Sequence, residues 1–188
     1  KELWTDDILL TALYKSLLIG VSSATISTVF GLLIAVAFVR FSVFKGRLIL
    51  SLVASAPLVM PEAVTGLSML LLFIAMEISF GWPSGRGVDT IMIAHATFGM
   101  CFAAVVIQTR LRDMDKYLEE AARDLGGRQP FVFLSITLPL ILPSIIAAWL
   151  LSFTLSFDDL VIASFVSGPG SSTLPIAVSY THLTLPTT

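Results

Sequence analysis

Long apolar runs divide this chain into segments of membrane-spanning length. The first run, residues 16–39, contains no charged residue and is flanked by Lys15 and Arg40. A helix of about 20 apolar residues crosses a hydrocarbon core of roughly 30 Å, so this run predicts a transmembrane helix. A later run, at about residues 90–109, has the same character and predicts a second uninterrupted span.

Two further apolar runs are longer. Residues 48–76 contain Pro57, Pro61 and Glu62, and a straight helix of that length would measure roughly 43 Å at 1.5 Å per residue. Because proline removes a backbone donor and clashes with the preceding turn, we expect a kink or an interrupted helix near these prolines. Irregular backbone at membrane depth must be covered by protein or water. Residues 138–166 complete four predicted spans.

Composition supports the membrane assignment. Hydrophobic residues make up 56% of the chain and charged residues 13%, with a mean hydropathy of +0.93. A soluble domain carries about 25% charged residues. We therefore expect an all-α, polytopic helix bundle embedded in membrane lipid. The net charge of −2 gives no reason to expect nucleic acid as a partner.

The chain offers few groups that bind metals or catalyse reactions. Cys101 is the single cysteine, which excludes an internal disulfide and a cysteine-based metal site. His95 has no second ligand three or four residues further on, so we expect a packed or hydrogen-bonded side chain. We predict neither a metal site nor a catalytic residue.

Basic residues give the orientation of the spans. Eight of the eleven lysines and arginines lie in two loops, one after the first apolar run and one between the third and the fourth. Because cytoplasmic loops carry an excess of lysine and arginine, both loops are predicted to face the cytoplasm. These eight residues are Arg40, Lys45, Arg47, Arg110, Arg112, Lys116, Arg123 and Arg128.

The second of these loops, residues 110–137, contains a predicted amphipathic helix. Asp115 is suited to cap its start, and Gly126, followed by a second glycine, is suited to cap its end. Glu119 and Arg123 form an i, i+4 pair that we place on the wet side. Apolar residues at the spacing i, i+3, i+4, i+7 form one face, which we call the apolar stripe. Its members are Leu118, Ala121, Ala122 and Leu125.

A helix of about ten residues is marginal in water, so its apolar stripe must pack against something. One candidate is the protein's own membrane bundle, and another is a groove on a partner protein. The small side chains of Ala121 and Ala122 favour close approach by a neighbouring surface. The physical pattern leaves these two alternatives equal.

The spacing of this loop resembles the EAA loop of ABC importer permeases. Glu120-Ala121-Ala122 is followed by three residues and Gly126, then by nine residues and a segment that ends in Pro139. Other stretches resemble the spermidine/putrescine branch of that family, and together they extend the resemblance over about residues 10–178. These stretches are residues 57–68, 120–127, 156–159, 167–170 and 173–175.

The resemblance implies a MetI-like permease fold and a role in ATP-driven import across the bacterial inner (plasma) membrane. Members of this family usually have six spans, so we expect the first and last spans to lie outside residues 1–178. Residues 179–188 have no likeness to the family and are not expected to span lipid.

The resemblance also implies partners. The EAA segment of such permeases docks as a coupling helix in a groove of a cytoplasmic ABC ATPase dimer. ATP and Mg²⁺ would be bound by that partner and no cofactor by this chain, whose sequence has no G-x-x-x-x-G-K-[ST] phosphate loop. A second permease subunit and a periplasmic substrate-binding protein complete the expected transporter. The expected coupling residues are Glu120, Ala121, Ala122, Gly126, Leu118, Leu125 and Pro139.

Three acidic residues at membrane depth are candidates for the substrate pathway, because charge inside a bilayer is unfavourable and by default indicates function. Glu62 either balances an ammonium group of a polyamine or bonds backbone groups freed at the neighbouring break. Asp158 and Asp159 come about twenty residues after Pro139, which is roughly 30 Å along a helix and near the outer edge of the core. They attract cations at the outer mouth, cap the re-entering chain, or pair at a subunit interface.

Other functions stand as alternatives. An importer of another small solute, such as a metal ion, an oxyanion or a vitamin, would share the EAA loop, which reports coupling and not cargo. An intramembrane enzyme is disfavoured because neither H-E-x-x-H nor G-x-S-x-G occurs in the chain. A secondary transporter would need no ATPase, so co-purification with an ATPase separates it from the leading hypothesis.

Overall fold

The computed structural model describes residues 7–41, 43–115 and 117–184, and all regular elements within these ranges are helical. Lys116, counted among the cytoplasmic basic residues, and residues 185–188 of the predicted tail lie outside the described residues. In chain order the elements are α1 (Asp7–Arg40), α2 (Arg47–Val59), α3 (Glu62–Phe80), α4 (Val88–Asp113), α5 (Tyr117–Asp124), α6 (Gln129–Val132), a π-helical turn (Phe133–Thr137), α7 (Leu138–Asp158), α8 (Val161–Val166) and α9 (Leu174–Thr184).

Four helical stretches in the described part of the chain are long and apolar enough to cross a membrane. The shorter apolar helix α2 lies between the first and the second of them. These stretches overlap the four predicted spans, although the second and fourth predictions each cover two helices. The stretches are Leu9–Arg40, Glu62–Phe80, Val88–Asp113 and Gln129–Asp158.

The predicted interruption near Pro57 and Pro61 is present between α2 and α3. Met60 and Pro61 both have extended backbone, with ψ near 140°. A residue before proline is pushed away from the helical region, which explains why the chain leaves the helix at Met60. Pro57 lies inside α2 and does not break it. Only the second proline therefore ends the helix.

The prediction of one span over residues 138–166 is wrong. The helix ends at Asp158, Asp159 has extended backbone with ψ of 123°, and α8 begins separately at Val161. The Asp159 carboxylate accepts hydrogen bonds from the backbone N–H groups of Ile162 and Ala163, at 3.3 and 2.8 Å. An aspartate that satisfies the free donors of a new helix favours a restart, and this signal involves neither proline nor glycine.

Helix α4 forms the centre of the bundle, with α1 and α7 packed against it. Its apolar stretch is 61% buried, against 17% for α3 and 22% for the stretch that contains α7. Gly31 of α1 permits the closest approach, because a Cβ added there would come within 2.7 Å of the Ala103 Cβ on α4. Small residues allow such contact between transmembrane backbones. The apolar faces of α3 and α7 are therefore left largely exposed.

Candidate functional site

Helix α5 has the end signals that the sequence predicted for an amphipathic helix. The Asp115 carboxylate accepts a hydrogen bond of 2.9 Å from the Tyr117 N–H at its start. At its end, Gly126 has a φ of +87° and donates its N–H to the Arg123 carbonyl at 2.8 Å. The N–H of Gly127 reaches the Ala122 carbonyl at 3.0 Å. A left-handed glycine that closes a helix in this way stabilises the C-terminal turn.

The apolar stripe of α5 does not pack on the described part of the bundle. Leu118 is 46% exposed and Leu125 is 91% exposed, while Ala121 is exposed and Ala122 half-buried. The buried residue of α5 is Glu119, which is 4% exposed. The expectation that Glu119 lies on the wet side is therefore wrong. Helix α5 is therefore attached to the bundle through the polar side chain of Glu119, and its apolar stripe stays largely exposed.

Glu119 is held by a cluster of side chains that we call the Glu119 clamp. Arg40, the last residue of α1, donates two hydrogen bonds to the two carboxylate oxygens, and the Thr137 hydroxyl donates a third. Arg123 lies one helical turn further on, with its Nη2 3.5 Å from Glu119 Oε2. A bidentate arginine–carboxylate pair of this kind is among the stronger polar contacts in proteins.

The Arg40 guanidinium, helped by the Thr137 hydroxyl, holds the pKa of the Glu119 carboxyl below its usual range, although burial acts in the opposite direction. The folded pKa therefore lies below the pKa of the unfolded chain. A carboxylate of this kind contributes its stability fully near neutral pH, and the contribution is lost as the pH falls through the lowered pKa. The Glu119 carboxylate is therefore ionised, and the clamp intact, at neutral pH.

The other predicted coupling residues lie around the clamp. Glu120 is exposed beside a small cavity of about 120 Å³ that Glu119 and Arg123 also line. Pro139 is exposed as the second residue of α7, two positions after Thr137. Glu119 directly precedes the EAA residues. Its distant partners, Arg40 and Thr137, were not among the site residues predicted from the sequence. The sequence indicated Arg40 only as a positive charge at the end of the first apolar run.

Glu62 is the first residue of α3 and is exposed at the break between α2 and α3. The backbone N–H groups of Val64 and Thr65 bond the Pro61 carbonyl, at 2.9 and 3.2 Å. Among the described residues, the Glu62 carboxylate has no hydrogen-bond or ion-pair partner. The alternative in which Glu62 bonds freed backbone groups is therefore not what the structure has, and the carboxylate remains accessible at the break.

Asp159 belongs to a buried polar network. His95 Nε2 lies 3.0 Å from Asp159 Oδ2, and His95 Nδ1 lies 2.7 Å from the Ser156 hydroxyl. Ser23 donates to Ser156 at 2.9 Å, so the network joins α1, α4, α7 and the turn before α8. The expectation of a hydrogen-bonded His95 is confirmed, and Asp159 fits the capping alternative. Its neighbour Asp158 is exposed.

The described residues contain no group of three His, Cys, Asp or Glu side chains that could hold a metal ion. They contain instead an apolar bundle, an amphipathic helix docked by its polar edge and a helix that re-enters the bundle. These features define a multi-pass membrane protein with an exposed amphipathic helix between two of its long apolar helices.

Residues 27–185 match the family described as "Binding-protein-dependent transport system inner membrane component". The chain belongs to this family, which confirms both the resemblance to importer permeases and the location in the inner membrane. The match continues through residue 185 and so includes most of residues 179–188, which we predicted to have no likeness to the family.

Individual relatives agree with the family assignment. The putrescine transport system permease protein PotI of Escherichia coli (strain K12) is 52% identical over 177 residues, which are 94% of this chain and 63% of PotI. The spermidine/putrescine transport system permease protein PotC of the same strain is 38% identical, over 94% of this chain and 64% of PotC. The chain thus spans slightly less than two thirds of these relatives.

A solved structure supports the fold. The crystal structure of an amino acid ABC transporter superimposes with a TM-score of 0.67, at 21% identity, over 94% of this chain and 78% of that one. At that identity the likeness concerns the fold alone. The predicted all-α, MetI-like permease bundle is confirmed.

Proposed function

We propose that this chain is part of a permease subunit of an ATP-driven importer that carries polyamines across the bacterial inner membrane. The observation that carries the proposal is the exposed apolar stripe on a cytoplasmic helix that is docked by Glu119. A helix of eight residues is marginal on its own, so the exposure of Leu125 favours a partner that covers it. The EAA spacing supports an ABC ATPase as that partner.

The partners follow from the same features. ATP and Mg²⁺ would be bound by the ATPase dimer, since the sequence has no phosphate loop of its own. The largely exposed apolar faces of α3 and α7 offer surfaces for a second permease subunit and for lipid. A periplasmic substrate-binding protein would deliver the cargo; the words "binding-protein-dependent" in the family description support such a partner.

The polyamine cargo is supported by the similarity to PotI and PotC and by an acidic side chain on the membrane path. Putrescine and spermidine carry ammonium groups at neutral pH. The Glu62 carboxylate is exposed at the helix break and has no partner among the described residues, so it is suited to balance one of them. The exposed Asp158, predicted near the outer edge, is suited to attract them. Charge at such depth is expected to serve a function.

Uptake of labelled putrescine and spermidine by the full-length protein, co-expressed with its operon neighbours in a strain without other polyamine uptake, tests the proposal. We expect ATP-dependent uptake that Glu62→Gln lowers and that Glu77→Gln, which neutralises another exposed glutamate of α3, leaves nearly unchanged. An ATPase that co-purifies without any polyamine uptake would keep the importer and discard the cargo. The absence of any bound ATPase would refute the importer itself.

A further inference from the structure

We propose that Arg40 and Thr137 are positioning residues for energy coupling, because they hold the coupling helix α5 through the single carboxylate of Glu119. The inference rests on the proposed function and adds the route by which movement of α5 enters the membrane spans. It concerns a contact inside this subunit, whereas the EAA residues concern the contact with the ATPase.

The first step is that, in the described part of the chain, no apolar side chain of α5 is fully buried. Its buried residue is Glu119, and the leucines at both ends of its stripe are exposed. Burial of apolar side chains normally fixes an amphipathic helix on its protein. Here a charged side chain takes that place, so the position of α5 depends on the partners of one carboxylate.

The second step is the identity of those partners. Arg40 is the last residue of α1 and presents two N–H groups to the two oxygens of Glu119. Thr137, fully buried at the end of the π-helical turn, donates to Glu119 Oε1 and lies 3.4 Å from Arg40 Nη2. The planar fork of arginine fixes both the distance and the direction of a carboxylate. The clamp therefore joins the ends of two spans to one point on α5.

The third step is the direction in which the clamp turns the helix. With about 3.6 residues per turn, the centre of the apolar stripe lies about 110° around the helix axis from Glu119. Fixing Glu119 against Arg40 therefore turns the stripe away from the bundle and towards the cytoplasm. A displacement of the stripe by a partner would be passed through Glu119 to α1 and, through Thr137, to α7, and both of these spans pack on α4.

A contact that only stabilises the fold would have the same geometry, so the experiment must separate an effect on coupling from an effect on folding. Glu119→Gln keeps the size of the side chain and removes its charge. A groove of about 540 Å³ lies beside the clamp and is lined in part by Arg40, Glu119 and Phe133. Water in this groove can solvate the polar groups that a neutral variant leaves unpaired, which favours a folded protein with a loosened α5.

The experiment compares variants of the full-length protein, assembled with its operon partners in membrane vesicles. For each variant, uptake per ATP hydrolysed is measured together with membrane-inserted protein and bound ATPase. We expect Glu119→Gln and Thr137→Val to keep the normal amounts of membrane-inserted protein and of bound ATPase. The uptake per ATP is expected to fall about tenfold, since each variant loses a hydrogen bond to a charged group. Thr137→Ser keeps the hydroxyl and is expected to restore coupling. Asp113→Asn neutralises an exposed cytoplasmic carboxylate outside α5 and serves as the control.

Two results would overturn the inference. Normal uptake per ATP in both Glu119→Gln and Thr137→Val would show that the clamp does not position α5 for coupling. If Glu119→Gln, Thr137→Val and Thr137→Ser all lost inserted protein, bound ATPase and uptake in parallel, the clamp would only stabilise the fold. A wild-type protein without a bound ATPase would instead refute the proposed function, and the two failures are thereby distinguishable.

Discussion

Gly126→Val is expected to uncouple import while leaving the protein in the membrane. Gly126 has a φ of +87°, in the left-handed region that a β-branched residue rarely adopts. Apart from its two chain neighbours, no described residue has a heavy atom within 4 Å of a Cβ added at this position. The effect of the substitution must therefore come from the backbone conformation and not from a steric clash.

The magnitude follows from the two ways in which the chain can respond. If the cap keeps its geometry, the left-handed conformation costs about 1–2 kcal/mol. If the cap opens, the hydrogen bonds from Gly126 to Arg123 and from Gly127 to Ala122 are lost, at about 0.5–1.5 kcal/mol each. The response that costs less limits the effect, and a cost of about 1–2 kcal/mol lowers the population of the closed helix end by roughly 5- to 30-fold. Because Leu125 directly precedes Gly126, a change in the cap moves Leu125 relative to the rest of the apolar stripe.

The assay is uptake per inserted protein, with Gly126→Asn as the matched control, since asparagine tolerates the left-handed conformation. We expect a fivefold or larger loss of uptake for valine and a smaller loss for asparagine, with equal membrane insertion of both variants. Full uptake with the valine variant would refute the reasoning. Equal impairment by asparagine would assign the effect to the side chain at the surface and not to the backbone.

Two further substitutions test the packing that supports the site. Asp159→Ala removes the cap of α8 and the partner of His95, so we expect the midpoint of thermal unfolding in detergent to fall by an amount equivalent to about 1–3 kcal/mol; Asp159→Asn keeps a capping oxygen, and equal loss in both variants would contradict the capping role. Gly31→Ala places a Cβ 2.7 Å from the Ala103 Cβ and is expected to destabilise the α1–α4 contact by about 1–3 kcal/mol. Gly87→Ala, at a site with open space and extended backbone, is its control, and similar midpoints for both variants would contradict the tight contact.

The sequence predicted the elements of this fold wherever a local signal was present. Proline at 61 marks the break in the second apolar run, and Gly126 marks the end of α5. Asp159 is a weaker signal, because aspartate caps a helix only when the chain beyond it restarts. We therefore predicted one span over residues 138–166, a run whose charged residues are Asp158 and Asp159.

The Glu119 clamp could not be predicted from the pattern of polarity. A glutamate on an amphipathic helix is ordinarily solvated, and its burial depends on an arginine 79 positions earlier in the chain. That partner is brought close only by the packing of α1 and α7 around α4. The apolar stripe, in contrast, was evident from spacing alone, and only the structure shows that it stays uncovered.

Site-specific cross-linking tests the central claim, that the apolar stripe contacts a partner ATPase. The two positions to compare are Leu125 and Val43, which are both 91% exposed; Val43 lies in the loop between α1 and α2, outside the stripe. In the full-length protein, with its other cysteines replaced, Leu125→Cys carrying a short photoreactive group should cross-link to the ATPase, and Val43→Cys should do so much less. Cross-linking of Leu125→Cys only to lipid or to its own subunit would contradict the account.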